Sequence, residues 1–140
     1  MPFQEGLLVS TLSAQANANL STSQFYAVSL ATAGSGTANQ PVPGVIMELA
    51  VSGSIFAGIL QDNPVAGQAG SIQVSGITLA AIAASQTVTA GNLLYINSSS
   101  QLVTGTGYSS VPVAQAMESC ASNASVSIIS VKILPVTAAL

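Results

Sequence analysis

Ionic side chains are almost missing from this chain: its 140 residues hold one Lys, no Arg, no His and four carboxylates, 4% charged, where a soluble domain carries about 25%. Without His, neither a Ser-His-Asp nor a Cys-His nucleophile can be assembled. Without clustered cations, no stripe exists to neutralise phosphates, which argues against nucleic-acid binding. The formal net charge of -3 comes from Glu5, Glu48, Asp62 and Glu118 against Lys132 alone. Cysteine is nearly absent too. Cys120 is the only one, which excludes an intrachain disulfide and a multi-cysteine metal site. With no His or neighbouring Lys to activate it, it reads as a small, partly buried hydrophobe.

Long apolar runs are also lacking. The mean hydropathy is +0.64, yet the stretch from Ile77 to Ala84 is interrupted by Thr78 and stops at Ser85, well short of the roughly 20 residues that cross a bilayer as a helix. The start, Met1-Pro2-Phe3-Gln4-Glu5, has no basic region leading into an apolar stretch, so no secretory signal is expected.

The remaining candidates for chemistry are few. Glu48, Asp62 and Glu118 are the acids from which a glycosidase-like pair would be drawn, but the chain has no Trp and few aromatics to stack on a sugar. Asp62 is the only Asp, and no D-x-D-x-D-G spacing accompanies it, so no metal site is expected. The acids are read as solubilising groups. A Ser-Lys pair would depend on Lys132, whose place in an apolar strand reads as solvent-facing. Gly34-Ser35-Gly36 lacks the later Gly and the Lys of a phosphate loop and is read as a flexible loop. The expectation is a protein that is not an enzyme and has no cofactor.

What the chain does have is short β-rich runs punctuated by Gly, Pro, Asn and Ser, the pattern of an all-β sandwich or small barrel. Candidate strands run from Phe25 to Leu30, Gly44 to Val51, Ser54 to Gln61, Ser71 to Leu79, Asn92 to Asn97, Gln101 to Thr104, Val111 to Met117 and Ser125 to Leu134. That gives about eight, in one β-rich domain over residues 20–140. Ser21-Thr22-Ser23-Gln24 has the form of a capping box, so a single helical turn is expected before the first strand. In the run from Ser71 to Leu79 the apolar set steps out of phase after Gly76, which predicts a bulge there. Ile128 and Ile129 are apolar on successive positions, which predicts a bend near Ile128 or burial of both faces. A closed, strongly bent sheet accommodates both.

Residues 1–19 lack sustained periodicity and are read as an N-terminal arm, whose apolar side chains Phe3, Leu7, Leu8, Val9 and Leu12 are the expected partner contacts. Outward strand positions hold Ser, Thr, Gln and Asn, which cost far less to bury than ions. Edge strands without Lys, Pro or inward charge are templates for another chain. A homo-oligomer or a larger assembly is therefore expected.

In the order of its phrases, the segment from Gln24 to Ile133 resembles the small capsid decoration, or cement, proteins of tailed bacteriophages. Ser23-Gln24-Phe25-Tyr26-Ala27-Val28 looks like the opening strand of that family. Gly58-Ile59-Leu60-Gln61-Asp62-Asn63-Pro64, then Ala66-Gly67 and Ile72-Gln73-Val74-Ser75-Gly76-Ile77, looks like its most distinctive block. Thr89-Ala90-Gly91-Asn92-Leu93-Leu94, Pro112-Val113-Ala114-Gln115-Ala116 and Ser127-Ile128-Ile129-Ser130-Val131 follow in order. Where family members carry Asp, Lys and Glu in loops, this chain has Ser, Gln and Asn, and Thr37 to Pro43 looks longer. The resemblance implies a compact β domain on the outer surface of the virion capsid, often trimeric, that reinforces joints between major capsid proteins, with the arm gripping a neighbour or the shell by strand addition. Composition alone also fits a tail, fibre or other surface-assembly subunit, or a carbohydrate-binding adhesion module displaying Tyr108 and the loop from Gly105 to Ser110.

Overall fold

The computed structural model describes residues 10–31, 45–50, 55–105 and 111–135. Among them no helix occurs, and ten strands form two closed five-stranded barrels. The first barrel contains β1 (Thr11–Ala16), β2 (Ala27–Ala31), β3 (Ile46–Leu49), β4 (Phe56–Leu60) and β5 (Ala69–Gln73); the second contains β6 (Ile77–Ile82), β7 (Leu93–Ile96), β8 (Leu102–Val103), β9 (Ala114–Ala116) and β10 (Ser127–Ile133).

The second barrel repeats the first strand for strand. Around the first, the order is β1-β3-β2-β4-β5, and around the second it is β6-β8-β7-β9-β10. Each has one parallel pair, β1 with β3 and β6 with β8, and its other pairs are antiparallel. The register agrees as well. Ala16 lies beside Met47 as Ile82 lies beside Leu102, and Leu60 opposes Ile72 as Ala116 opposes Val131. Outside the ladders, Phe25 N–H donates to the Leu60 carbonyl at 2.8 Å and Gly91 N–H to the Ala116 carbonyl at 2.8 Å. Phe25 and Gly91 both take positive φ, 70° and 95°.

Side-chain volumes at equivalent interior positions compensate each other. Ala16 becomes Ile82 in the second barrel, while Leu60 becomes Ala116, and all four are buried. A barrel interior filled by one large and one small side chain tolerates their exchange because total volume is conserved. The first interior is closed by Ala14, Ala16, Leu20, Val28, Met47, Leu60 and Ile72. The second is larger, because Ala27, Ala50, Phe56 and Ile59 of the first barrel join its cluster. The outer side of one barrel thus completes the apolar core of the other.

Polar main-chain contacts fasten this junction. Ala81 N–H donates to the Phe25 carbonyl at 3.0 Å and Ala27 N–H to the Ser100 carbonyl at 2.9 Å. Ser100 Oγ donates to the Ala50 carbonyl at 2.9 Å, and Gln101 Nε2 to the Tyr26 hydroxyl at 2.9 Å. A non-glycine residue in the left-handed region is strained. At Phe25 the ring packs on the second core and the carbonyl binds β6, which together hold that conformation.

The all-β class and the barrel are as expected, with differences in detail. Thr11–Ala16, expected in an arm of residues 1–19, is a full strand of the first barrel, paired with β3 and β5. The run from Ser71 to Leu79 is two strands, not one bulged strand. Gly76, at φ 83°, lies where the chain leaves β5 of one barrel for β6 of the next, so the change of phase marks a change of barrel. β10 runs without a register shift against β6, and Ile128 faces solvent, so neither a bend nor burial of both faces explains its apolar pair. Residues Ser21 to Gln24 form turns instead of a helical turn; Ser21 N–H is held by Asn19 Oδ1 at 3.0 Å. Closure also removes the open edges expected from the sequence, since every described strand has a neighbour on both sides.

Candidate functional site

The three carboxylates among the described residues do not gather. Asp62 follows β4 and accepts the main-chain N–H of Ser71 through Oδ1 at 3.2 Å and Oδ2 at 3.3 Å. Glu118 follows β9 and accepts that of Ser130 at 2.9 Å. These are equivalent corners of different barrels. Glu48 lies on β3 opposite Ser29, and Glu5 lies outside the described residues. No group of three His, Cys, Asp or Glu able to hold a metal ion occurs among the described residues. Asp62 also lines a small polar hollow of about 150 Å³ with Asn63, Pro64, Gln68 and Ala69; a single carboxylate already engaged by main chain supplies neither an acid-base pair nor a hard-cation cage.

Lys132 is exposed on β10 between Ile77 on one side and Gln115 on the other. Cys120 is half-buried against the second core and forms a two-way main-chain bridge with Val88, 2.9 Å in each direction. Of the expected partner contacts, Leu12 sits in β1 opposite Ile72 and packs on the first core. Phe3, Leu7, Leu8 and Val9 lie outside the described residues, as do Tyr108, the loop at Gly34-Ser35-Gly36 and most of the loop from Gly105 to Ser110.

Among the described residues, two groups of exposed apolar side chains stand out. On the outer face of the second barrel, Ile77 and Leu79 of β6, Ile128 of β10 and Met117 just after β9 are 61%, 43%, 44% and 46% exposed. The register makes them neighbours around Ser130: Leu79 is directly across from it, Ile128 is two residues along the strand, and Met117 N–H donates to its carbonyl at 2.9 Å. On the first barrel, Leu30, Ile55, Phe56 and Ala57 line an apolar hollow of about 250 Å³. Sequence reasoning missed both as sites. Consecutive Ile128 and Ile129 were the legible sign of the first.

This arrangement is suited to adhesion. Its described residues offer apolar relief and neutral polar surface, with no cluster of titratable groups among them. The sequence profile of the phage cement proteins matches residues 3–133. No curated protein matches the chain by sequence. Among solved structures it is similar to the N base of head fiber gp8.5 of bacteriophage phi29, with a TM-score of 0.59 at 11% identity, over 89% of this chain and 92% of that one. At that identity the likeness is one of fold, and the family match over nearly the whole sequence carries the assignment: this chain belongs to the phage cement protein family, structural proteins located on the surface of the virion capsid.

Proposed function

We propose that the chain binds the outside of a phage capsid as a homo-oligomer, a trimer at three-fold positions, and reinforces the contacts between major capsid proteins without doing a reaction of its own. The observation that carries this reading is the pairing of two interlocked closed barrels with a surface nearly free of ions. Interlocking gives a stiff body that resists deformation under internal pressure. Neutral polar and apolar surface loses little when covered, and contacts made without ions do not weaken as salt rises. The inner side of a filled shell meets DNA, for which this chain has a single lysine to offer.

In this reading the segment before β1, with Phe3, Leu7, Leu8 and Val9, grips the shell. Closed barrels leave no edge for that segment on another copy, so a receiving strand belongs to the capsid protein. The fold shared with a head-fibre base favours one second reading, in which the barrels are the foot of a projecting subunit. Reconstruction of particles carrying this chain tests both. Density for the two barrels at three-fold joints, with nothing rising from it, supports the cement role. Density continuing outward from the barrels supports the foot, and density at a tail or spike overturns both. Added to bare capsids, the purified chain is expected to raise the temperature at which they open.

A further inference from the structure

The repeated barrel supplies its own control for what each surface needs. Ile77, Leu79, Met117 and Ile128 share the outer face of the second barrel with Lys132, which pairs with Ile77 across the ladder as Ser130 pairs with Leu79. Register gives the first barrel Thr11, Ser13 and Ala69 in the places of Ile77, Leu79 and Ile128. Gln61 has the place of Met117, since both donate their N–H to the serine carbonyl across the ladder, Ser71 and Ser130, at 2.9 Å. The same strands are therefore built with small or polar side chains there. The apolar set of the second barrel is not required by strand geometry, and contiguous apolar surface of this kind marks a contact.

The path of the chain decides what lies within reach of this face. Val74 N–H donates to the Ser10 carbonyl at 2.8 Å, so the chain comes into β1 beside Val74, three residues before Ile77. Because β1 and β5 are antiparallel, residues 1–9 lead back from Ser10 in the direction in which β5 passes through Gly76 into β6. Three residues span at most about 10 Å, so Leu7 reaches Ile77. Nine residues span about 30 Å, while Leu79 is about 7 Å further along β6, and Met117 lies two strand spacings, about 10 Å, from Leu79. The whole face is within range. β6 has β10 and β8 on its two sides, so it offers the segment no ladder, and the contact falls to side chains. Phe3, Leu7, Leu8 and Val9 are there to make it.

Charge selects the same occupant. Lys132, the only cation of the chain, is exposed on this face. Among the four acids, Asp62 and Glu118 each accept a main-chain N–H, and Glu48 belongs to β3 of the first barrel. The fourth is Glu5, five residues before Ser10. Two copies meeting through this face would instead set Lys132 against Lys132.

We propose that in the free copy residues 1–9 fold back over the second barrel of the same chain, with Leu7 against Ile77 and Leu79, Glu5 paired to Lys132, and Phe3 against Met117 and Ile128. The contact belongs to the unattached chain and does not depend on the grip on the shell proposed above.

The test uses the full chain in solution, with Cys120→Ala and Gln4→Cys so that a nitroxide is carried at position 4 alone. The methyl signals of Ile77, Leu79, Met117 and Ile128 are expected to lose at least half their intensity relative to the reduced label, while those of Val65, at the far end of the first barrel, keep theirs. Glu5→Lys and Lys132→Glu are each expected to remove most of this loss, and together to restore it. A label-free measurement on the parent sequence stands beside these: deleting residues 1–9 should shift the same four methyl signals and leave Val65 in place. The proposal is overturned if the four signals keep their intensity, if Val65 loses as much as they do, if the paired charge exchange restores nothing, or if the deletion moves none of them. A mixture of nitroxide-bearing chain with isotope-labelled chain lacking the nitroxide is expected to show no loss; a loss confined to that mixture assigns the face to the segment of another copy and equally overturns it. The two readings fail separately: a chain that shows this contact but never binds particles removes the cement role and leaves the contact standing.

Discussion

Asp62 and Glu118 stand at the same corner of two different barrels, each carboxylate accepting the main-chain N–H of the serine across the ladder, Ser71 for one and Ser130 for the other. Half of the carboxylates in the chain are thus used to finish a strand junction. Removing either acceptor leaves an N–H to find water instead. Asp62→Ala and Glu118→Ala are each expected to cost about 1 kcal/mol in urea unfolding, while Asp62→Asn and Glu118→Gln, which keep an accepting oxygen, lose less. A glycosidase role for these acids would show in the opposite pattern, with folding untouched and a hydrolytic activity abolished.

Ile59 is fully buried and belongs to the first barrel in chain order but to the second barrel's core in packing. Ile59→Ala is expected to destabilise by about 3 kcal/mol. Calorimetry should record one shared transition moving to lower temperature, since the cavity opens where both barrels meet. Two separate transitions, with only one displaced, would mean that the barrels fold independently.

Gly58 and Ala114 are equivalent, and only one of them has room for a side chain. A Cβ at Gly58 would overlap the Gln73 carbonyl oxygen and lie 2.7 Å from Ile72 Cγ2. Gly58→Ala is expected to cost at least about 2 kcal/mol because main chain must shift. The reverse change, Ala114→Gly, should cost only about 1 kcal/mol from added backbone freedom. Equilibrium unfolding of both variants side by side checks the asymmetry.

Truncation of residues 1–9 leaves β1 whole and is expected to keep the melting temperature within a few degrees while lowering occupancy on particles. A cut reaching Leu20 removes β1 and opens the first barrel, so it should unfold the chain outright. Thermal melts and quantified particle-bound protein separate these outcomes.

Occupancy on particles should change less than about twofold between low and high salt, because the chain has only one cation and four carboxylates to bring to any contact. A steep loss on raising salt would place the binding in ion pairs.

The class of fold was legible because turn residues bracket nearly every strand from Ala27 onward. The first strand was not. Leu12, Ala14 and Ala16 alternate with Ser13 and Gln15, but alanine carries little β preference, and the pattern reads as featureless. The duplication was hidden for a related reason. Equivalence lives in the register, which Ala16 and Ile82 or Leu60 and Ala116 share without sharing size. The apolar outer face left one trace, the adjacent Ile128 and Ile129, which sequence alone read as a bend or as burial of both faces, because an exposed apolar position has no signature of its own in the alternation.

Ring closure has one more effect, on the fate of copies not yet on a particle. A β chain with so few ions has almost no like-charge repulsion to keep its molecules apart, and flat uncovered strands of such composition stack into cross-β fibres. Here both ladders end on themselves, so the described strands leave a free copy no open sheet edge on which another can grow. Solubility in storage is thereby set by topology instead of by electrostatics.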